Sequence, residues 1–182
     1  MENFFLPMQA AEFDILFALQ DLQCAWLNLV MRIFTELGNN GIVWIVIGLG
    51  CIIFKKSRRC GVLMLLTMLI CFVLGNGVIK NLVARPRPFQ LIDRDFMLLI
   101  PPPGEYSFPS GHTLHGFAAA VTIFLHHKRA GVAALVLAAL IAFSRLYFFV
   151  HFPTDVLGGL ILGTLAALLV YGAAKKIRPV KA

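Results

Sequence analysis

Apolar residues fall in long runs along this chain, and the polar ones gather between them. Residues 61–79 and 156–174 carry no charge, and each run is 19 residues long. That is close to the roughly 20 residues that cross a bilayer as an α-helix. A third run, 130–149, is broken only by Arg145 near its end. Two shorter ones, 41–54 and 114–127, span only if their flanks join the helix, Leu37–Gly41 before the first and Ser110–Thr113 before the second. In 11–37, Phe13, Leu16, Phe17, Leu19, Leu22, Trp26, Leu27, Val30 and Phe34 recur at helical spacing, with Asp14, Asp21, Arg32 and Glu36 among them. Such a segment either spans with a polar face turned inward or lies at the interface. The reading adopted is a surface helix leading into a first spanning helix from about Asp21 to Leu37. Long stretches of alternating polarity are missing, so a barrel is not expected. The expectation is an all-α, polytopic bundle of about six transmembrane helices. It forms one domain over 1–182, with an N-terminal region 1–37 and a core at 60–172.

Composition agrees with the pattern. Hydrophobic residues make up 59% of the 182, mean hydropathy is +0.84, and only 14% are charged. A soluble domain of this size could not hide so much apolar surface. The net charge of +7 raises nucleic acid as a partner, but its distribution argues otherwise. Lys55-Lys56-Ser57-Arg58-Arg59, Lys128-Arg129 and Lys175-Lys176-Ile177-Arg178 each end an apolar segment, as topology determinants do. No soluble basic face remains, and nucleic acid is excluded. The start, Met1-Glu2-Asn3, has no basic region and no cleavage site after a short apolar stretch, so the first helix is expected to be retained. Cys24, Cys51, Cys60 and Cys71 form no C-x-x-C pair and read as small core residues rather than as a metal site or disulfide framework.

If the three basic clusters lie in the cytoplasm, the helices between them alternate consistently. The segments 80–110 and 150–155 then face outward together, and the C-terminus is cytoplasmic. The first of them holds Lys80, Arg85, Arg87 and Arg94 against Asp93, Asp95 and Glu105. Cations on that side oppose the topology rule, so another role is expected to hold them there.

Three short segments meet at those outer ends: Lys80 through Arg85-Pro86-Arg87-Pro88, Ser107-Phe108-Pro109-Ser110-Gly111-His112, and Ser144-Arg145 through His151 to Asp155. Phosphoryl transfer needs such a set, because its catalysis is positioning plus neutralisation of charge on the equatorial oxygens. Arginine forks hold phosphate bidentately and lysine adds a point charge. Ser110 stands where a helix begins, so the Gly111 and His112 amides face an anion, and Gly111 has no side chain to block its approach. His151 and Asp155 are four apart, one helical turn if the helix starts early enough despite Pro153. A carboxylate on one ring nitrogen fixes the tautomer and leaves the other as a nucleophile on phosphorus. His112 is then the acid for the leaving group and the base for water. This chemistry calls for no metal and no cofactor.

Together the segments resemble the signature of the type 2 phosphatidic acid phosphatase superfamily: K-x6-R-P, P-S-G-H and S-R-x5-H-x3-D. They read here as Lys80 to Arg87-Pro88, Pro109-Ser110-Gly111-His112, and Ser144-Arg145 to His151 and Asp155. The resemblance covers about residues 60–172. It implies His151 as nucleophile, Asp155 as its orienter and His112 as acid and base. It also implies that Lys80, Arg87, Ser110, Gly111 and Arg145 bind phosphate. The implied activity is metal-independent hydrolysis of a lipid phosphate or diphosphate at the extracytoplasmic rim of the cell membrane. Undecaprenyl diphosphate, phosphatidylglycerol phosphate and phosphatidic acid all suit that location. Transfer of the phosphoryl group to another lipid, and lipid-phosphate binding or transport without catalysis, are the alternatives. Oligomeric state is left open.

Other polar residues get blander expectations. His115 is read as a packed neighbour of His112, and His126 and His127 as part of the cytoplasmic end. Arg85 is an auxiliary phosphate contact or a member of its loop. Asp93, Arg94, Asp95, Glu105 and Tyr106 are expected to shape a lid-like loop, and Gly75, Asn76 and Gly77 to serve close helix packing.

Overall fold

The computed structural model describes residues 6–92 and 98–177, and among these there is no strand. The α-helices are α1 (Leu6–Gln20), α2 (Ala25–Gly38), α3 (Ile42–Ile53), α4 (Arg58–Cys71), α5 (Lys80–Val83), α6 (Gly111–His126), α7 (Lys128–Tyr147) and α8 (Pro153–Ile177). A π-helical segment, Phe72–Ile79, joins α4 to α5. The expectations for Asp93, Arg94 and Asp95 in the loop, and for Arg178 in the tail, lie outside the described residues.

Among the described residues four stretches are long and apolar enough to cross a membrane: Ala25–Ile53, Arg58–Gln90, Lys128–Tyr147 and Pro153–Lys176. The first holds what the sequence divides into two helices, 21–37 and 41–54. Asn40 (φ 53°) and Gly41 (φ 67°) are both left-handed, so the backbone kinks and the helix resumes at Ile42. α6 starts at Gly111, as its flank suggested, and its 16 residues extend about 24 Å. α1 is shorter still. It packs by its aromatic face, with the Phe13 ring 5.4 Å from Phe152 and the Phe17 ring 5.3 Å from Phe149.

α6 is the central helix, flanked by α7 and α8, with α4 closing against α6 and α8. Small residues set its spacing from α8. A Cβ on Gly163 would stand 2.4 Å from the Leu114 carbonyl oxygen, and one on Gly159 2.8 Å from that of Ser110. Close backbone approach of this kind is how membrane helices gain packing where no hydrophobic drive exists between them. It also docks the start of α8 on the start of α6, where the Ser110 N–H donates to the Asp155 carbonyl at 3.0 Å. A second core surrounds the fully buried Trp44, with Cys60, Met64, Ala119, Ala138 and Ile141. Cys71 is buried too, but Cys24 is exposed and Cys51 half-buried, so only two of the four cysteines are the core residues expected.

The outer surface is strongly apolar, with Ile53 73% and Leu169 72% exposed. In water such a belt would drive association, whereas in a bilayer it is the solvated surface. At one end of the bundle the Arg59 guanidinium donates to the Ala174 carbonyl at 2.8 Å, which brings the α3–α4 turn and the end of α8 together. The motif residues lie at the opposite end.

Candidate active site

His151 stands in the short turn between α7 and α8, just before Pro153 opens α8. Proline suits a first helical position, where its missing N–H would have no partner anyway. Two residues later Asp155 reaches back, and its Oδ2 accepts from the Phe152 N–H at 2.8 Å. His151 and Asp155 are therefore not on one regular helical turn. They meet across the helix start, with His151 Nδ1 3.6 Å from Asp155 Oδ2. Ser107 adds a third group: its hydroxyl donates to Asp155 Oδ2 and lies 3.5 Å from His151 Nδ1.

The other ring nitrogen sets the tautomer. Arg87 Nη1 lies 3.2 Å from His151 Nε2. A guanidinium can only donate, so this contact requires Nε2 to carry a lone pair and places the proton on Nδ1, towards Asp155. Burial pushes the His151 pKa well below its ordinary value, and the charges of Arg87, Arg145 and Lys80 push the same way. The ring is neutral, with its free lone pair beside an arginine.

Arg87 is held rigidly. Its Nε donates to the Glu105 carbonyl at 2.7 Å and its Nη1 to the Val150 carbonyl at 2.8 Å. Arg145, in the last turn of α7, donates through Nη1 to Thr35 of α2, and its buried Nε has no partner. Lys80, buried at the start of α5, pairs with the Glu105 carboxylate. Lys80 holds that carboxyl below the usual range, chiefly by donating to it. Ser110 occupies the N-cap of α6 in extended backbone, but its side chain makes no cap bond; its Oγ accepts from the Thr113 hydroxyl at 3.0 Å. The first-turn N–H groups of α6, Gly111 and His112 among them, have no intrahelical acceptor. A Cβ on Gly111 would point between Asn76 Oδ1 (3.4 Å) and Lys80 Nζ (3.8 Å), so the bare backbone leaves that space open. His112 Nε2 lies 3.0 Å from Asn39 Oδ1, at the kink between α2 and α3.

A cavity of about 690 Å³ joins these groups. Lys80, Arg87, Gly111, His112, Arg145 and His151 line its polar end, with His115 and Asn76 beside them. Its other wall is apolar, made by Ile45 of α3 and by Leu65, Met68 and Leu69 of α4 with Phe72 beyond it. Asp155 and Ser110 lie behind the lining, both fully buried.

Three expectations change. Arg85 does not face the cavity. Its Nη1 donates to Asp155 Oδ1 and to Thr154 Oγ1, both at 2.7 Å, its Nη2 pairs with Glu12 at 2.5 Å, and its plane lies 4.0 Å over the Phe152 ring. Gly75 packs as expected, since a Cβ there would meet Leu114 at 2.2 Å, but Gly77 does not: a Cβ there meets nothing within 4 Å, so it serves no close helix contact. Asn76, however, turns a buried Oδ1 without a partner into the site, from a π-helical segment of the kind often found at functional positions. Sequence reading missed Glu12, Thr35, Gly38 and Asn39, and gave Ser107 no role. Their partners are far away along the chain, so no local spacing marks them.

Known proteins resemble this chain in sequence and fold. The PAP2 superfamily pattern matches residues 61–179. An undecaprenyl-diphosphatase of Sulfolobus acidocaldarius is 36% identical over 148 residues, covering 81% of this chain and 70% of that one. Phosphatidylglycerophosphatase B of Bacillus subtilis is 36% identical over 167 residues, covering 84% and 78%. The crystal structure of a transmembrane PAP2-type phosphatidylglycerolphosphate phosphatase from Bacillus subtilis superimposes with a TM-score of 0.77 at 33% identity, over 98% of this chain and 96% of that one. The chain belongs to the PAP2 superfamily and is a hydrolase of phosphate ester or diphosphate bonds.

Proposed function

We propose that this protein removes phosphate from the headgroup of a membrane lipid through a covalent intermediate on His151. One observation carries the lipid reading: a single cavity has a cationic end at His151 and an apolar wall between α3 and α4. Leu69 and Phe72 belong to that wall and are also exposed on the belt. A headgroup can sit among Lys80, Arg87 and Arg145 while its tails stay in hydrocarbon. The relatives' names point to undecaprenyl diphosphate and phosphatidylglycerol phosphate as substrate classes. Phosphatidic acid has the same geometry.

In the first step the His151 Nε2 lone pair attacks phosphorus, the bond to the leaving oxygen breaks, and His112 gives that oxygen its proton. Asp155 stabilises the charge that develops on the ring through Nδ1–H. Lys80, Arg87, Arg145 and the amides at the start of α6 neutralise the equatorial oxygens, with Ser110 fixing that start. In the second step His112 takes a proton from water, the hydroxide attacks phosphorus, and the N–P bond breaks to restore His151. No metal takes part in either step.

The membrane arrangement follows from the same ends. Lys55–Arg59, Lys128–Arg129 and Lys175–Lys176 are exposed and belong to the end remote from His151, which supports a cytoplasmic C-terminus and an extracytoplasmic site. With α6 counted beside the four long stretches the chain crosses five times, and α1 lies along the outer rim as the sixth helix of the bundle.

Phosphate release by purified protein, from lipid monophosphates and diphosphates against their water-soluble headgroups alone, tests the reading. Lipids are expected to turn over at least about 10²-fold faster, since remote binding energy is lost with the tails. Equal rates on soluble headgroups contradict a lipid substrate. Activity is expected to survive EDTA and to be inhibited by vanadate; complete loss in EDTA, restored only by a divalent ion, contradicts the metal-free route.

A further inference from the structure

We infer that Glu12 of α1 is a positioning residue for the His151–Asp155 pair, acting through Arg85. The inference rests on the reading of His151 as nucleophile and adds the N-terminal helix to its machinery.

Glu12 is almost fully buried, which for a carboxylate demands partners. Its Oε2 takes Arg85 Nη2 at 2.5 Å, and its Oε1 accepts from the Thr154 N–H at 2.9 Å and the Thr154 hydroxyl at 2.5 Å. Arg85 spends its other nitrogen on Asp155 Oδ1 at 2.7 Å. One planar guanidinium thus bridges two carboxylates, with Asp155 between it and the histidine. The bridge fixes both oxygens of Asp155: Oδ1 by Arg85, Oδ2 by Ser107 and the Phe152 N–H, with His151 Nδ1 alongside.

Charge is the second half of the argument. Arg85 paired with Asp155 alone would form a neutral unit and weaken the field that holds a proton on His151 Nδ1. Glu12 restores a net negative charge to the group of three. That charge matters because the rest of the surroundings is cationic. His151 is faced by Arg87 from the segment after α5, Arg145 from α7 and Lys80 from α5, with His112 of α6 across the cavity. Asp155 is the anion beside the ring, and Glu12 is the counter-ion that leaves its charge available. The placement also explains why α1 is docked by Phe13 and Phe17 against Phe149 and Phe152, the residues on either side of the nucleophile's turn.

The test is Glu12→Gln, which keeps shape and an acceptor for Thr154 but removes the charge. The expected result is a fall in kcat of roughly tenfold or more, with KM within about twofold, because the nucleophile is disturbed and the phosphate cradle is not. With one negative charge fewer, His151 is harder to protonate, so the acid limb of kcat/KM moves to lower pH, by roughly half a unit or more. Glu12→Asp keeps the charge and is expected to keep the wild-type limb. Wild-type kcat and limb in Glu12→Gln overturn the inference, as does an identical limb shift in Glu12→Asp, which would make the role one of packing. Melting in detergent reports whether Glu12→Gln folds. If it does not, Arg85→Gln carries the test, since a neutral amide supplies no charge to balance the two carboxylates: a KM-neutral loss of kcat supports the bridge and wild-type kcat overturns it. His151→Ala, measured in parallel, separates the two readings. Retained activity there defeats the nucleophile assignment, whereas an inactive His151→Ala beside a wild-type Glu12→Gln defeats only the role of Glu12.

Discussion

The two ends of the bundle use the same residue types for opposite purposes. At the remote end Lys55, Lys56, Arg58, Arg59, Lys128 and Arg129 are all exposed. At the site end Lys80, Arg85, Arg87 and Arg145 are only 5, 5, 2 and 4% exposed. A cation left in water costs nothing and sets orientation, while a buried one must be compensated. Among the buried four, only Arg85 has two carboxylates on its guanidinium. Arg87 and Arg145 are held mainly by backbone carbonyls or a hydroxyl, which fix position but supply no full negative charge. On the proposed reading, an incoming phosphate satisfies that deficit. For the arginines, burial without a full counter-ion separates the proposed binding cations from the structural one, while Lys80 keeps an exposed carboxylate partner in Glu105.

The largest expected effects test that distinction. Arg87→Ala and Arg145→Ala should each lower kcat/KM by about 10² to 10³-fold, the scale for losing a preorganised donor to developing charge. Arg58→Ala and Lys55→Ala should stay within about twofold. Steady-state phosphate release checks both, and similar losses at the two ends would erase the contrast.

Glycines give a second, smaller test. A Cβ on Gly38 would stand 2.6 Å from the His112 ring and 2.5 Å from Ile141, whereas one on Gly50, in the remote half of α3, meets nothing within 4 Å. Gly38→Ala is expected to displace His112 and cost up to about 10²-fold in kcat. Gly50→Ala is expected to change nothing measurable.

The pH profile comes next. Burial first, then the charges of Arg87, Arg145 and Lys80, keep His151 neutral, and attack requires the neutral ring. Protonation therefore begins only at lower pH, and the acid limb of kcat/KM should lie below the ordinary histidine value of about 6.5. A limb at or above that value would contradict the assignment.

The smallest effect concerns Glu105, whose side chain is 64% exposed and whose carboxylate occupies Lys80. Substrate must displace it. Exposed partners of this kind are worth about 0.2–1 kcal/mol, so Glu105→Gln should lower KM by no more than about fivefold. An unchanged or raised KM would show that Glu105 does not compete with phosphate.

Much of this contrast was legible in the sequence, for reasons that differ by residue. The apolar runs at 61–79, 130–149 and 156–174 marked helices because a bilayer imposes length and polarity at once. The segments around Lys80, His112 and His151 were legible because they alternate with those helices and must emerge together. The kink at Asn40–Gly41 was read as a break, since a turn signal does not tell whether a helix ends or bends. Arg85 and Arg87 are of one type and two residues apart in one loop, told apart in the sequence only by the family spacing from Lys80, and only Arg87 reaches the cavity. What separates them is Glu12, more than 70 positions away along the chain, and no spacing rule connects the two.

The central claim is that His151 becomes phosphorylated during turnover, and trapping tests it most directly. Purified protein mixed briefly with a lipid substrate labelled on the transferred phosphate, then denatured in base, should retain label in an acid-labile, base-stable form on the peptide containing His151. The label should vanish in His151→Ala. Label on His112, label that survives His151→Ala, or free phosphate released at the wild-type rate by His151→Ala would contradict it.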